Sequence, residues 1–445
     1  MQLYSTNDKD NIVDLKEAVF KGLPDDKGLF MPIDIPKLSN EFINNIENYT
    51  FQEIGFIITK ALFQGYLSDE EIKRLIDNAI TFPAPVVQLD TKKGILELFH
   101  GPSLAFKDFG ARFMAQLMSH FNQGEEQNLV ILVATSGDTG GAVAAGFYDT
   151  PGIEVIILYP SGKVSLLQEK QLTTLGKNIT ALEVDGSFDD CQALVKTAFL
   201  DPDLNTNIRL SSANSINIAR LIPQSFYYFE AYKQVKALGK DVVFCVPSGN
   251  FGNLTAGLLA KEMGLPAHHF IAATNANDVV PEYLSKGTYR PRPSIRTISN
   301  AMDVGNPSNF ARMLDLYHPS KHNECSTWNT MTARISGYTF TDKETKEAIK
   351  EVFQQYQYTI DPHGAVGYLA LKEYQNTPQG KDTFGVIFET AHPSKFIDSM
   401  ENLIPTPIEI PERLAILKHK KKEAVKMDKA FSSFKTWLKE RYHIE

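Results

Sequence analysis

Two hydrophobic rhythms divide the chain. Through residues 1–95 apolar positions recur every three or four residues, as at 14–20 and 68–80, a spacing that lines one face of a helix. Ser68 is followed three positions later by Glu71, the pattern of a capping box, and predicts a helix start at Ser68. Pro83 and Pro85 break this pattern, and 95–99 is a short strand candidate. Beyond residue 129 the rhythm changes. Short, near-continuous apolar runs at 129–134, 154–159, 179–184, 242–246, 270–273 and 384–388 alternate with helical patterns such as 165–175, 189–199 and 254–263. Apolar strands separated by helices predict parallel sheets covered on both faces.

The expected fold is therefore α/β. A largely helical N-terminal region (1–95) precedes two open, mostly parallel α/β lobes, 96–210 and 211–445. A 445-residue chain with 43% hydrophobic residues is long enough for such an arrangement. In open α/β sheets ligands gather beyond the carboxyl ends of the strands, where strand order reverses. Chemistry is accordingly sought just after strands.

Composition narrows the function. Lys and Arg number 45 against 53 Asp and Glu, a net charge of −8, which argues against a nucleic-acid coat. The one basic run, Lys418 to Lys422, is read as a solvated helix face. Cys191, Cys245 and Cys325 are far apart, so neither a zinc knuckle nor a disulfide framework is suggested. His318 and His322 are separated by Pro319 and make a poor metal pair, so no metal site is expected. Neither a signal peptide nor a membrane-length apolar stretch is evident, and a soluble cytoplasmic protein is expected.

Four segments carry candidate chemistry. Phe99 to Gly110 reads as strand, Gly-Pro turn and helix start near Ser103 or Ala105, with Lys107 in the first turn between Phe106 and Phe109. A helix N-terminus and apolar neighbours both disfavour an ammonium ion, which suits imine chemistry; a surface lysine is the alternative. Thr135-Ser136-Gly137-Asp138-Thr139-Gly140-Gly141 is a small-residue turn that admits an anion or simply caps a helix. There the carboxylate of Asp138 is out of place beside an anion. Pro247-Ser248-Gly249-Asn250-Phe251-Gly252-Asn253 is a phosphate cradle or a structural turn, and it lacks the ending of a nucleotide P-loop. Asn214-Ser215-Ile216-Asn217-Ile218-Ala219-Arg220 enters what is expected to be a long helix, with Asn217 and Arg220 on one face. It offers a second anion site, or a cap with a solvated Arg. Asp361-Pro362-His363-Gly364 reads as a turn.

Together these segments resemble threonine synthases, pyridoxal-phosphate enzymes of the tryptophan-synthase-β type (fold type II). The resemblance runs from Tyr4-Ser5-Thr6 through Gly28-Leu29-Phe30-Met31-Pro32 to Glu389-Thr390-Ala391-His392-Pro393. It implies that Lys107 carries pyridoxal 5'-phosphate as a Schiff base and that Gly249, Asn250, Phe251, Gly252 and Asn253 hold the cofactor phosphate. It further implies that Thr390 faces the pyridine nitrogen and Asp138 lies near the 3-hydroxyl, where many relatives have Asn. Ser136 and Thr139 would bind the substrate carboxylate, and Asn214, Ser215 and Arg220 its phosphate, with Lys163 a candidate to add charge there. The implied reaction converts O-phospho-L-homoserine and water to L-threonine and phosphate. The implied protein is a monomer or homodimer whose partner is a small molecule, not nucleic acid or membrane. A threonine dehydratase on the same fold, or a non-catalytic binder of phosphorylated ligands, is the rival expectation; the former has no use for Arg220.

Overall fold

Runs such as Leu129–Ala134 and Val242–Pro247 are apolar on both faces, so they are stable only between helical layers. The computed structural model, which describes residues 1–135, 137–320 and 326–444, sets them in two mainly parallel sheets. The larger has six strands in the order Ile335–Thr339, His269–Thr274, Val242–Pro247, Phe384–Glu389, Lys93–Glu97, Val86–Gln88, parallel except for the last pair. The smaller has five, in the order Val425–Met427, Ile179–Val184, Ile153–Pro160, Leu129–Ala134, Arg209–Ser212, all parallel.

Each sheet reverses its strand order once along the second half of its path. In the larger sheet the reversal lies between Val242–Pro247 and Phe384–Glu389; in the smaller, between Leu129–Ala134 and Arg209–Ser212. Loops leaving neighbouring carboxyl ends diverge there and open a crevice. The Gly249 loop and Thr390 leave the first reversal; the Gly137 turn and Asn214 leave the second. The Lys107 segment follows Lys93–Glu97, the neighbour of Phe384–Glu389.

Within residues 1–95 the helices Leu15–Lys21 and Asp69–Ala79 form as expected, the latter with the full Ser68–Glu71 capping box, and a further helix, Phe51–Phe63, lies between them. A three-stranded antiparallel sheet (Ile12–Asp14, Gln2–Ser5, Phe30–Pro32) was not expected. Its strands are too short to show alternation.

Other expectations shift. The strand expected at 95–99 is Lys93–Glu97, and the helix after it begins at Lys107 itself. The expected long helix after Asn214 is a four-residue helix, Ile218–Leu221, then a 3-10 turn, Ile222–Ser225, and then the helix Phe226–Val235. Pro223 lacks the N–H that would continue the ladder. Asn217 caps the short helix Ile218–Leu221 and donates to Val19 O at 2.8 Å, so its side chain is spent on structure.

The turn expected at 361–364 is the start of the helix Pro362–Gln375, with Asp361 as cap and Pro at the first position. The basic run is no helix face. It leaves a 3-10 turn, Ile416–His419, and Lys422 pairs with Glu169 at 2.7 Å and Glu183 at 2.8 Å. Cys191 and Cys245 are buried in the core; Cys325 and His322 lie outside the described residues. Among the described residues no helix is long and apolar enough to cross a membrane.

Candidate active site

Lys107 opens its helix behind a loop that is stitched to the end of the Phe384–Glu389 strand. Phe106 N donates to Thr390 O at 2.8 Å, His392 N donates to Leu104 O at 3.0 Å, and Ala105 bridges Ala391. Phe109, two residues on, is fully buried against Phe82 and Tyr227. In this setting the Lys107 amine is pushed down to about 8, by burial first and then by the positive charges of Arg220 and Lys395; Asp138 works the other way. The sequence pointed to the apolar wall but not to the two cations.

Asp138 begins the helix Asp138–Phe147. Its approach is built by Thr135, whose hydroxyl accepts from Gly137 N at 3.0 Å and Gly140 N at 2.9 Å. Gly137 has φ 147°, and a Cβ there would lie 2.7 Å from the Gln168 amide, so only glycine fits. Gln168 Nε2 in turn donates to Asp138 Oδ1 at 2.8 Å, and Lys395 Nζ lies 2.7 Å from the same oxygen. Burial would raise the Asp138 carboxyl, but Lys395 and Lys107 outweigh it and hold the group well below the ordinary carboxylate range. Thr139 lies half-buried in the first helical turn; Ser136 lies outside the described residues.

The Gly249 loop shows why small residues stand there. A Cβ on Gly249 would come 2.5 Å from Ala301 O, and Phe251 sits in the left-handed region at φ 60°. Gly252 is less confined, its nearest neighbour being the Asn309 amide at 3.3 Å. Asn253 is buried; its Oδ1 accepts from Tyr227 at 2.8 Å and Tyr228 at 3.0 Å, while its Nδ2 has no partner. Asn250 Nδ2 donates to Ser215 Oγ at 2.9 Å, which joins this loop to the Asn214–Ser215 segment. Thr390 is buried, and its hydroxyl makes no hydrogen bond among the described residues.

Arg220 is 2% exposed. It lies against Gly110 of the Lys107 helix, donates through Nη1 to Ala213 O at 2.8 Å, and leaves Nε without a partner. No carboxylate pairs with it among the described residues. Burial brings its guanidinium down to about 10. Lys163 does not join this group; it is exposed and acts on Asp190 and Cys191.

Lys395, Arg312 and Asn309 were missed. Lys395 stands two residues beyond the Glu389–Pro393 segment, whose likeness assigns it no role. Arg312 is fully buried and donates to Phe30 O at 3.0 Å, Ile216 O at 2.7 Å and Asn309 Oδ1 at 2.7 Å. Asn309 Nδ2 then reaches Asn250 O at 3.1 Å, so this arginine braces both loops from behind. The position of Lys395 just after a strand end was the one signal available.

A lysine that sheds its proton readily, a backbone cradle closed to side chains, an orphaned buried amide and an unpaired buried guanidinium fit a phosphorylated aldehyde cofactor. The family described as "Pyridoxal-phosphate dependent enzyme" matches residues 85–389, so the chain falls in the class of pyridoxal-phosphate enzymes. The families "Threonine synthase N terminus" and "Threonine synthase, C-terminal" match residues 2–80 and 364–437. The chain belongs to the threonine synthase family. It is 44% identical to the threonine synthase of Escherichia coli over 416 residues, covering 93% of this chain and 94% of that one. The crystal structure of the Escherichia coli enzyme superposes with a TM-score of 0.89 over 99% of this chain and 100% of that one, at 41% identity. The pyridoxal-phosphate-bound threonine synthase of Brucella melitensis gives a TM-score of 0.93 at 32% identity, covering 99% of each chain. A tomato threonine deaminase (15% identity, TM-score 0.54, 76% of this chain, 95% of that one) shares the fold alone.

Proposed function

We propose that this enzyme converts O-phospho-L-homoserine and water to L-threonine and phosphate, with pyridoxal 5'-phosphate as cofactor. It acts in the cytoplasm as a monomer or homodimer. The observation that carries the reading is Arg220, a buried guanidinium without a carboxylate partner among the described residues, against the helix that begins with Lys107. An unpaired buried cation is costly unless an anion arrives to neutralise it.

When bound, the cofactor supplies an electron sink for charge released at the substrate's α-carbon. Lys107 would carry the cofactor, and its lowered proton affinity suits it to serve as a general base toward the substrate. Gly249, Asn250, Phe251, Gly252 and Asn253 hold the cofactor phosphate through backbone N–H groups and the free Asn253 amide. Thr390 would offer its hydroxyl to the ring nitrogen, and Asp138 would stand by the 3-hydroxyl. Ser136 and Thr139 take the substrate carboxylate. Asn214, Ser215 and Arg220 grip the substrate phosphate and stabilise it as it leaves the γ-carbon. A proton would leave the β-carbon as phosphate departs; the hydroxyl of water would then add there, and protons would return to the α- and γ-carbons. A dehydratase, which removes hydroxide from an unphosphorylated amino acid, has no anion to set against Arg220.

The test is an assay with O-phospho-L-homoserine that follows phosphate and threonine together. Equal amounts of both are expected. A keto acid and ammonia from threonine or serine, with no phosphate from O-phospho-L-homoserine, would replace this reading by the dehydratase one.

A further inference from the structure

Lys395 follows the Phe384–Glu389 strand through a tight turn, Pro393–Phe396, capped by His392. Its side chain is 1% exposed. Nζ meets Asp138 Oδ1 at 2.7 Å and donates to Ser103 O at 2.9 Å. These partners come from different parts of the fold. Asp138 opens a helix on the smaller sheet, Ser103 lies in the loop leading to Lys107, and Lys395 hangs from the larger sheet. Two glutamines of the helix Leu166–Thr173 complete the cluster. Gln168 donates to Asp138, and Gln171 donates to the same Ser103 carbonyl at 3.1 Å.

Packing does not account for such a pair. Desolvating two ions costs several kcal/mol each, and apolar side chains of similar volume are commonly as stable or more so. Position does account for it. Both members lie close enough to Lys107 to act on its charge, with opposite signs. Asp138 alone would put a bare carboxylate in the pocket, where it would repel an anionic substrate and pull a proton onto Lys107. Lys395 cancels that charge while leaving the carboxylate oxygens in place.

We propose that Lys395 is a positioning residue for the reaction: it ties the Asp138 carboxylate and the Ser103 carbonyl to the Thr390 strand end and keeps a second positive charge beside the Lys107 amine. This rests on Lys107 being the cofactor lysine. Lys395 itself touches no reacting atom.

The experiment is a pH titration of the cofactor's visible absorption band in the holoenzyme, for wild type, Lys395→Met, Lys395→Arg and the pair Lys395→Met with Asp138→Asn. Removing Lys395 lowers the local charge by one, so protons bind more tightly and the midpoint rises, by about one unit, or tenfold in proton affinity. The double variant restores the local sum and returns most of the way. Lys395→Arg, which keeps the charge, stays nearer to wild type than Lys395→Met does. A side chain that merely fills space predicts none of this ordering.

A cofactor-loaded Lys395→Met protein that titrates like wild type overturns the proposal, as does a double variant that shifts as far as the single one. If Lys395→Met does not fold, Asp138→Asn alone reads the same balance with the sign reversed: its midpoint falls, and an unchanged midpoint is fatal. Borohydride reduction followed by peptide mapping separates the two readings. Label on Lys107 with unshifted titrations sinks only the role of Lys395, whereas label on another lysine removes the assignment of Lys107 as well.

Discussion

Burial, Arg220 and Lys395 all oppose a proton on Lys107, and Asp138 alone favours one. The amine therefore becomes free at about pH 8, where an ordinary lysine needs about 10.4. Because only the free amine attacks an aldehyde, uptake of pyridoxal 5'-phosphate by the cofactor-stripped protein should quicken about tenfold per pH unit below this point and level off above it. Stopped-flow absorbance would follow it. A rate still climbing at pH 10 would mean that Lys107 is an ordinary lysine. Arg220 makes a second, independent case. Arg220→Ala should lower kcat/KM for O-phospho-L-homoserine roughly 30- to 1000-fold, about 2–4 kcal/mol, with cofactor affinity little changed. Near wild-type efficiency would place the phosphate elsewhere. Lys107 was legible because its neighbours in sequence are also its neighbours in space. Lys395 was not, since its partners Asp138 and Ser103 are brought to it only by the fold.

Among the elements, those most legible are the ones buried on both faces, for which a continuous apolar run is the physical requirement. Leu129–Ala134 and Ile179–Val184 match their expected limits residue for residue. Arg209–Ser212, Ile335–Thr339 and Val425–Met427 went unseen, because strands at a sheet's edge carry polar residues and lose the pattern. Helix starts were legible where a side chain caps them, as at Ser68, and misread where Pro223 interrupts. Gly249 and Gly252 look alike in sequence, yet only the first is pressed against rigid backbone, Ala301 O. Gly249→Ala should therefore weaken cofactor binding at least about tenfold, whereas Gly252→Ala, whose Cβ would come no nearer than 3.3 Å to the Asn309 amide, should do so far less. Equilibrium absorbance titration with pyridoxal 5'-phosphate ranks the two; the reverse order would contradict the cradle described here.

Across the whole molecule, the two sheet reversals bring their loops together, and a buried acid chain stands behind them. Asp361 N donates to Glu389 Oε1 at 2.6 Å, Asp361 Oδ1 meets His363 Nδ1 at 2.7 Å, and Ala301 N donates to His363 Nε2 at 3.2 Å. The line thus runs from the residue before Thr390 to the wall of the Gly249 loop. Burial, and then the neighbouring Asp361 charge, raise the Glu389 carboxyl well above the usual range, so it keeps its proton to higher pH than an ordinary carboxyl. A raised carboxyl contributes stability fully below its unfolded value, about 4.3, and loses it as pH climbs through the folded value. Glu389→Gln keeps the shape but cannot ionise. Its melting temperature should stay within about 2 °C of wild type at pH 6 and gain on it steadily toward pH 9, by calorimetry. A gap that does not change with pH would mean that Glu389 is ionised.

The strand Val425–Met427 pairs with Ile179–Val184, and Glu423 N donates to Thr173 O at 2.8 Å nearby. From Val184 to Val425 is 425 − 184 = 241 residues. At about 5–20 residues per second a ribosome needs roughly 10–50 s to cover that stretch. For that interval the edge of the nascent smaller sheet hangs open, a template for pairing with any passing strand, and its guard arrives only after the larger sheet has been made. The slower the ribosome, the longer that edge stays unpaired.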